Sequence, residues 1–482
     1  MMTAPLHYQS ASQLVPQMVR GTLKSRDLLE HLLARIAERN PALNAVVWMD
    51  VEGARAQADA ADAAAARGQI WGPLHGIPMT IKESYRVAGS PTTWGNPNFR
   101  NNVTDDDALT VERLKKAGAI VFGKSNVPYM LADWQSFNAI YGTTNNPWDL
   151  SRTPGGSSGG SAAALAAGLT IVEAGSDIGA SIRNPAHYCG VFGHKPTYGV
   201  VPLLGQSLPD TYAQGDISVV GPLTRSAADL RTMMQVMAGP DPVDGIGWKL
   251  ELPASRHRSL KDFRVALKFS DPNCAVDSGY ADALQNLADR LAKAGATVQE
   301  IEPDIDTSRH YELYVLLLRA ATSGRVTDDV IEMSREVVAR GPDDGSYLYR
   351  MARGNLMGHS EWLGLNNERH GIRLKFAEFF QDWDILLTPA AAGPAWPQNE
   401  AGLRHDRKIE INGQQVYGTD QMFWAGYSCG IYLPSTVGPA GQVRGLPVGY
   451  QAITGQYLDY TAIGFAELVE RDIIGFAPPP GY

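Results

Sequence analysis

Residues 153–168 read TPGGSSGGSAAALAAG. Two adjacent serines, Ser157 and Ser158, sit among four glycines, and a run rich in alanine follows. Such a composition fits a linker, a phosphate cradle or a nucleophile turn, and the flanking sequence decides between them. Residues 155–159, GGSSG, satisfy the G-x-S-x-G pattern of a nucleophile elbow. An elbow must leave a strand, however, and the preceding TTNNPWDLSRTP is polar coil with two prolines. A second formal match lies at residues 118–125, GAIVFGKS, which fits the phosphate-binding loop pattern. There a helix precedes the first glycine, and the four intervening residues themselves read as a strand. Neither motif has the context its chemistry requires.

Working outward, the chain alternates short apolar strands with helices. Ser25 is the expected N-cap of a helix on RDLLEHLLARIAERN, whose Leu28, Leu29, Leu32, Leu33 and Ile36 recur at helical spacing. A second helix is expected over Glu52–Ala66, and a strand over Ile77–Lys82. Residues 107–117 read as a helix closed by Gly118, followed by a strand over Ala119–Phe122. Further strands are expected at Leu169–Ala174, Arg264–Lys268, Thr297–Ile301 and Asp384–Leu387, with a helix over about 281–293. The pattern predicts an α/β fold with a central mixed, mostly parallel β-sheet covered by helices. We expect a single domain over 1–482, with N-terminal helices in 1–68, a core in 69–240 and a helical excursion over 312–380 beside a substrate pocket.

Bulk composition narrows the class. Hydrophobic content of 44% against 19% charged residues suits a globular chain with a sizeable core. The net charge of −9 and the absence of long basic runs argue against a nucleic-acid or anionic-membrane partner. The short cluster at Arg256–Lys261 reads as a solvated face. Cys189, Cys274 and Cys429 are far apart and match neither a zinc motif nor a disulfide framework. The N-terminus has no apolar signal region, and no window of 18 apolar residues occurs. The expectation is a cytoplasmic enzyme without metal or cofactor, its homo-oligomeric state left open.

Three segments carry residues suited to acyl transfer: residues 72–82 (GPLHGIPMTIK), 155–161 (GGSSGGS) and 177–185 (DIGASIRNP). A serine hydroxyl is a poor nucleophile until a base takes its proton. Lysine serves as that base only when uncharged, and burial favours its neutral form. Lys82 ends an apolar strand, whereas Lys293 and Lys375 lie on amphipathic helices and would stay charged. A serine between lysine and nucleophile would satisfy both, which gives Ser157 a use. In the third segment, the backbone N–H groups of Ile178, Gly179, Ala180 and Ser181 are candidates to receive a developing oxyanion.

Together the segments resemble the amidase signature family in order, content and spacing. GPLHGIP precedes Lys82, GGSSGGSAAALAAG matches the signature core, and SDIGASIRNPAHYCGVFGHKPTYGVV follows the family's second conserved block. Ser181 lies 24 residues after Ser157, the family's spacing, and the likeness runs from the N-terminal helices to GLPVGYQ. The resemblance implies a triad of nucleophile Ser181, bridging Ser157 and base Lys82, with a cis peptide after Gly156. It implies supporting roles for Ser158, Asp177 and Arg183. It implies a small-molecule amide or carbamate substrate, with the amide, anilide, carbamate and ester classes sharing one chemistry. Tyr129, Met130 and Trp134 are expected at the substrate pocket together with Cys429 and Ile431, which suggests a substrate with an apolar portion. Where the family has Gly-Gly-Ser, this chain has Gly179-Ala180-Ser181, and alanine disfavours a positive φ. A second reading is the glutamine-hydrolysing component of a tRNA-dependent amidotransferase, in which the position of Ile178 is usually threonine.

Overall fold

The computed structural model describes residues 4–255, 257–341 and 347–482. Arg256 of the basic cluster, and residues 342–346 of the expected helical stretch 312–380, lie outside the described residues.

The helix Ser25–Leu43 and the helix Val51–Ala66 form where their spacing predicts, with Leu28, Leu29, Leu32 and Ile36 buried and Leu33 partly so. The cap differs from expectation. Lys24 is the N-cap, and Ser25 is the first helical residue. Its hydroxyl donates to the Gly76 carbonyl at 2.6 Å, while Asp62 of the neighbouring helix accepts the N–H groups of Ser25 and Arg26 at 2.7 and 3.2 Å. A tertiary carboxylate therefore does the capping that a local serine was expected to do.

Among the described residues, eight strands form the main sheet, in the order Thr297–Glu300, Arg264–Leu267, Ile385–Pro389, Leu446–Ile453, Ser435–Val443, Phe192–Lys195, Val219–Thr224 and Val172–Asp177. The sheet is mixed, as expected, but it is not mostly parallel. Only the first two pairings are parallel, and the remaining five are antiparallel. Strand alternation with helices does not fix direction. Here a tight hairpin joins Ser435–Val443 to Leu446–Ile453 through Arg444 and Gly445, whose φ values are both positive at 52° and 78°. Beside the Val172–Asp177 edge packs a smaller sheet, Val46–Met49, Ile120–Ser125 and Pro78–Lys82.

The strand Ile120–Ser125 runs through the formal phosphate-loop match and ends it as a binding motif. Its Lys124 is buried, donating to the Pro91 carbonyl at 2.5 Å and to Thr92 Oγ1 at 2.9 Å. The excursion after residue 306 is helical throughout most of its described part: Thr307–Thr322, Asp328–Arg340, Tyr347–Asn355 and His359–Asp382. No helix of the described residues is long and apolar enough to cross a membrane. Cys189, Cys274 and Cys429 are all buried and free.

Candidate active site

The strand Pro78–Lys82 is buried along its whole length, so its terminal lysine is delivered into the interior. Lys82 is fully buried, and its Nζ lies 2.7 Å from Ser157 Oγ, 2.9 Å from Ser158 Oγ and 2.9 Å from Ser176 Oγ. No carboxylate among the described residues pairs with it. Burial therefore outweighs the more distant pull of Asp177 and Glu173, and draws the Lys82 ammonium down from 10.5 to about 7. Gln206 braces this cluster, its Nε2 donating to Ser84 Oγ at 2.9 Å and to Ser176 Oγ at 3.3 Å.

The glycine–serine stretch at residues 153–168 holds the serines against that lysine. The Gly156–Ser157 peptide is cis. Ser158 then leads into the helix Gly159–Ala166, every residue of which is buried. Two glycines are required here by geometry. Gly155 has a φ of 88°, and a Cβ on Gly160 would run into the backbone of Asn126. The N–H of Ser158 donates to the Ser181 carbonyl at 3.1 Å, tying the two serine segments together.

Ser181 lies on the turn between the strand Val172–Asp177 and the helix Arg183–Cys189. Asp177 organises this turn. Its Oδ1 accepts from the Ala180 N–H at 2.9 Å and from Arg183 Nη2 at 3.0 Å; its Oδ2 accepts from the Ile182 N–H at 3.1 Å and from Arg183 Nε at 3.0 Å. Burial would raise the Asp177 carboxyl, but the Arg183 guanidinium prevails and holds it at about 2. Arg183, itself fully buried, continues to Ser428 Oγ at 2.9 Å, Gln451 Oε1 at 2.5 Å and Cys429 Sγ at 2.8 Å.

The N–H groups around Ser181 divide into two sets. That of Ala180 is consumed by Asp177, which corrects its expected place among the free donors. Those of Ile178, Gly179 and Ser181 are paired with no acceptor among the described residues. Two side chains set these peptide planes. Tyr314 Oη donates to the Ile178 carbonyl at 3.0 Å, and Trp134 Nε1 donates to the Gly179 carbonyl at 2.7 Å. In a trans peptide the following N–H points the opposite way. Tyr314 thus aims the Gly179 N–H away from itself, and Trp134 turns the Ala180 N–H toward Asp177.

Ser157, Ser181, Ile178 and Gly179 open on one cavity of about 210 Å³. Of the residues expected at the pocket, Met130 and Trp134 line it. Tyr129 does not, and is 51% exposed. Cys429 is buried behind the turn on Arg183 and Asp177 (3.4 Å), and burial pushes its thiol up to about 11. Ile431 is fully buried in the core. Residues that carry no local mark in the sequence complete the walls, among them Trp94, Met422, Arg319, Arg325 and Arg404. Strain marks this site: Trp94, Met130 and Leu131 line the cavity with φ of 53°, 51° and 58°, and Ala180 has 68°. Among the described residues no hydrogen bond joins the hydroxyls of Ser157 and Ser181.

The Amidase family model matches residues 27–463 of this chain. The chain belongs to the amidase signature family. It is 32% identical to an indoleacetamide hydrolase of Bradyrhizobium diazoefficiens, over 97% of this chain and 87% of that protein. It is equally 32% identical to the A-type component of the glutamyl-tRNA(Gln) amidotransferase of Thioalkalivibrio sulfidiphilus, over 94% and 95%. Among solved structures, a chain of the vestigial protein complex that reveals the origins of an s-triazine catabolic enzyme superposes with a TM-score of 0.80. It shares 27% identity over 98% of this chain and 100% of that one. Family, fold and amide-hydrolase class follow from these likenesses, whereas relatives of equal identity differ in substrate.

Proposed function

We propose that this amidase cleaves the C–N bond of an amide, anilide or carbamate with an apolar portion through an acyl-enzyme on Ser181. Ser157 relays the Ser181 proton to neutral Lys82 as Ser181 Oγ bonds to the carbonyl carbon. The resulting oxyanion accepts from the free N–H groups of Ile178, Gly179 and Ser181. Collapse breaks the C–N bond while Lys82, through Ser157, returns the proton to the departing nitrogen. Water then repeats the relay and releases the acid. Asp177 and Arg183 hold the turn, and Ser158 and Ser176 complete the lysine's contacts.

One observation carries this reading: a buried lysine with no carboxylate partner among the described residues lies 2.7 Å from Ser157, and Ser157 lines the cavity onto which Ser181 opens. The test is Ser181→Ala on a panel of amides, anilides, carbamates and esters. Loss of turnover with the wild-type fold retained supports the assignment, and unchanged turnover refutes it.

A second reading has a specific observation behind it, the equal identity to a component of an amidotransferase. On that reading the substrate is glutamine, and the ammonia passes to a partner. Glutaminase activity in a stable heteromer, detected by pull-down and gel filtration, would establish it. Turnover of small anilides by the chain alone, without glutaminase activity, would exclude it.

A further inference from the structure

The cavity before Ser181 carries charge that amide hydrolysis does not use. Arg319, Arg325 and Arg404 all line it. The carboxylates lining the same cavity, Asp133 and Asp177, are already matched, by Arg407 at 2.5 Å and Arg183 at 3.0 Å. None of the three lining guanidiniums has a carboxylate partner among the described residues. Arg319 and Arg404 instead converge on a single phenol oxygen, that of Tyr347, with Arg404 at 2.9 Å. Arg404 also donates to the Ala132 carbonyl at 2.5 Å, and Arg319 Nε is buried without any partner among the described residues. Arg325, at the rim, lays its guanidinium over the Trp94 ring, 4.5 Å from the centroid. Stacking occupies the face of the group and leaves its in-plane donors unspent.

Placing the Arg319 and Arg404 guanidiniums together on one phenol oxygen, partly out of water and with no carboxylate partner among the described residues, is unfavourable unless an anion completes the arrangement, and the exposed Arg325 adds a further cation to the same cavity. The chain as a whole carries −9, so the cationic wall is a local feature and not a reflection of bulk composition. A planar guanidinium fork matches the two oxygens of a carboxylate.

We infer that this wall is a subsite for a carboxylate on the part of the substrate remote from the scissile carbonyl. Leu318, Met422 and Trp134 line the same cavity and give it an apolar surface beside the arginines. The substrate class becomes an amide or carbamate with an apolar middle and an anionic end. This inference rests on the reading of Ser181 as the nucleophile.

The experiment compares matched substrates. On the acyl side they are the mono-para-nitroanilide of glutaric acid and its methyl ester. On the leaving-group side they are N-acetyl-para-aminobenzoate and its methyl ester. In one of the two series the wild type is expected to prefer the carboxylate about tenfold or more in kcat/KM. Raised salt narrows that ratio, and Arg404→Gln and Arg325→Gln lower it about fivefold or more. Arg325 is at the rim, so its variant guards against a folding defect at the other position. Esters turned over as well as carboxylates in both series overturn the inference and leave the hydrolase reading standing, as does a ratio that neither variant changes. If none of these compounds is hydrolysed, binding takes the place of kinetics, and the nucleophile reading is judged by Ser181→Ala on the wider panel. Calorimetry with the same ligands then decides the subsite: tighter binding of the carboxylate, weakened in Arg404→Gln, supports it, and equal binding of acid and ester overturns it.

Discussion

If neutral Lys82 is the base, the hydrolysis rate must follow its deprotonation. Burial brings Lys82 from 10.5 to about 7. That change favours the neutral form by on the order of 5 kcal/mol. At pH 8 most of the lysine is then uncharged, whereas an ordinary lysine would be about three parts in a thousand neutral. Below pH 7 each unit removes about nine-tenths of the remaining base, so at pH 5 roughly one molecule in a hundred is competent. The perturbation is pH, and the assay is kcat/KM on a neutral anilide from about pH 5 to 10. The expected profile rises about tenfold per unit up to about pH 7 and is level above about pH 8. A flat profile between about pH 5 and 8 would refute the lysine base. A tenfold rise per unit continuing above about pH 9 would refute its burial-lowered pKa.

Four further outcomes are expected. Lys82 is protonated in the unfolded chain up to about pH 10.5 but in the folded chain only below about 7, so folding expels a proton in that window and stability rises with pH across it. Lys82→Met removes this rise, so the thermal midpoint of the wild type should gain on that of the variant from about pH 7 to 10; parallel curves contradict the assignment. Tyr314→Phe deletes the hydroxyl that sets the Ile178 carbonyl, a bond worth about 1 kcal/mol, and should lower kcat about fivefold with little change in KM. An effect confined to KM would show that Tyr314 does not act on the transition state. Ala180→Gly relieves a left-handed alanine and should stabilise the fold by about 0.5–1 kcal/mol, read as a higher thermal midpoint. Asp177→Ala strands the buried Arg183 charge and should cost about 3–5 kcal/mol in denaturant unfolding; a loss below about 1 kcal/mol would show that Asp177 does not hold the turn.

Local pattern makes much of the fold legible, and it fails where the cause is tertiary. The leucine spacing of residues 26–36 places a helix correctly because its buried face is written in the chain itself. Its cap is not legible locally because the capping carboxylate, Asp62, belongs to another helix. Strand positions follow from the apolar runs, but strand directions do not. Direction depends on which connections cross the sheet and which turn back, as at Arg444–Gly445. Cys429 sits in an apolar segment that suggests a pocket, yet it lies beneath the site on Arg183.

The division between what is legible and what is not follows the way the site is assembled. Lys82, Ser157 and Ser181 come from three short segments, and each leaves a local mark: the apolar strand that ends at Lys82, the glycines around Ser157 (Gly155 at positive φ, Gly160 against Asn126), and the Asp177 turn before Ser181. The opposite wall is gathered from Trp94, Leu318–Val326, Arg404 and Met422, residues scattered over more than three hundred positions. An arginine on a helix reads as a solvated charge in sequence, and only the packing that aims Arg319 and Arg404 at one phenol oxygen makes it a cavity wall. The contacts that hold Lys82, Ser157 and Ser181 are thus internal to three short segments, whereas the wall depends on how distant helices and loops pack. An indoleacetamide hydrolase and an amidotransferase component are each 32% identical to this chain, so overall identity does not choose between their substrates. The substrate should be sought in the arginine wall, where the core imposes nothing.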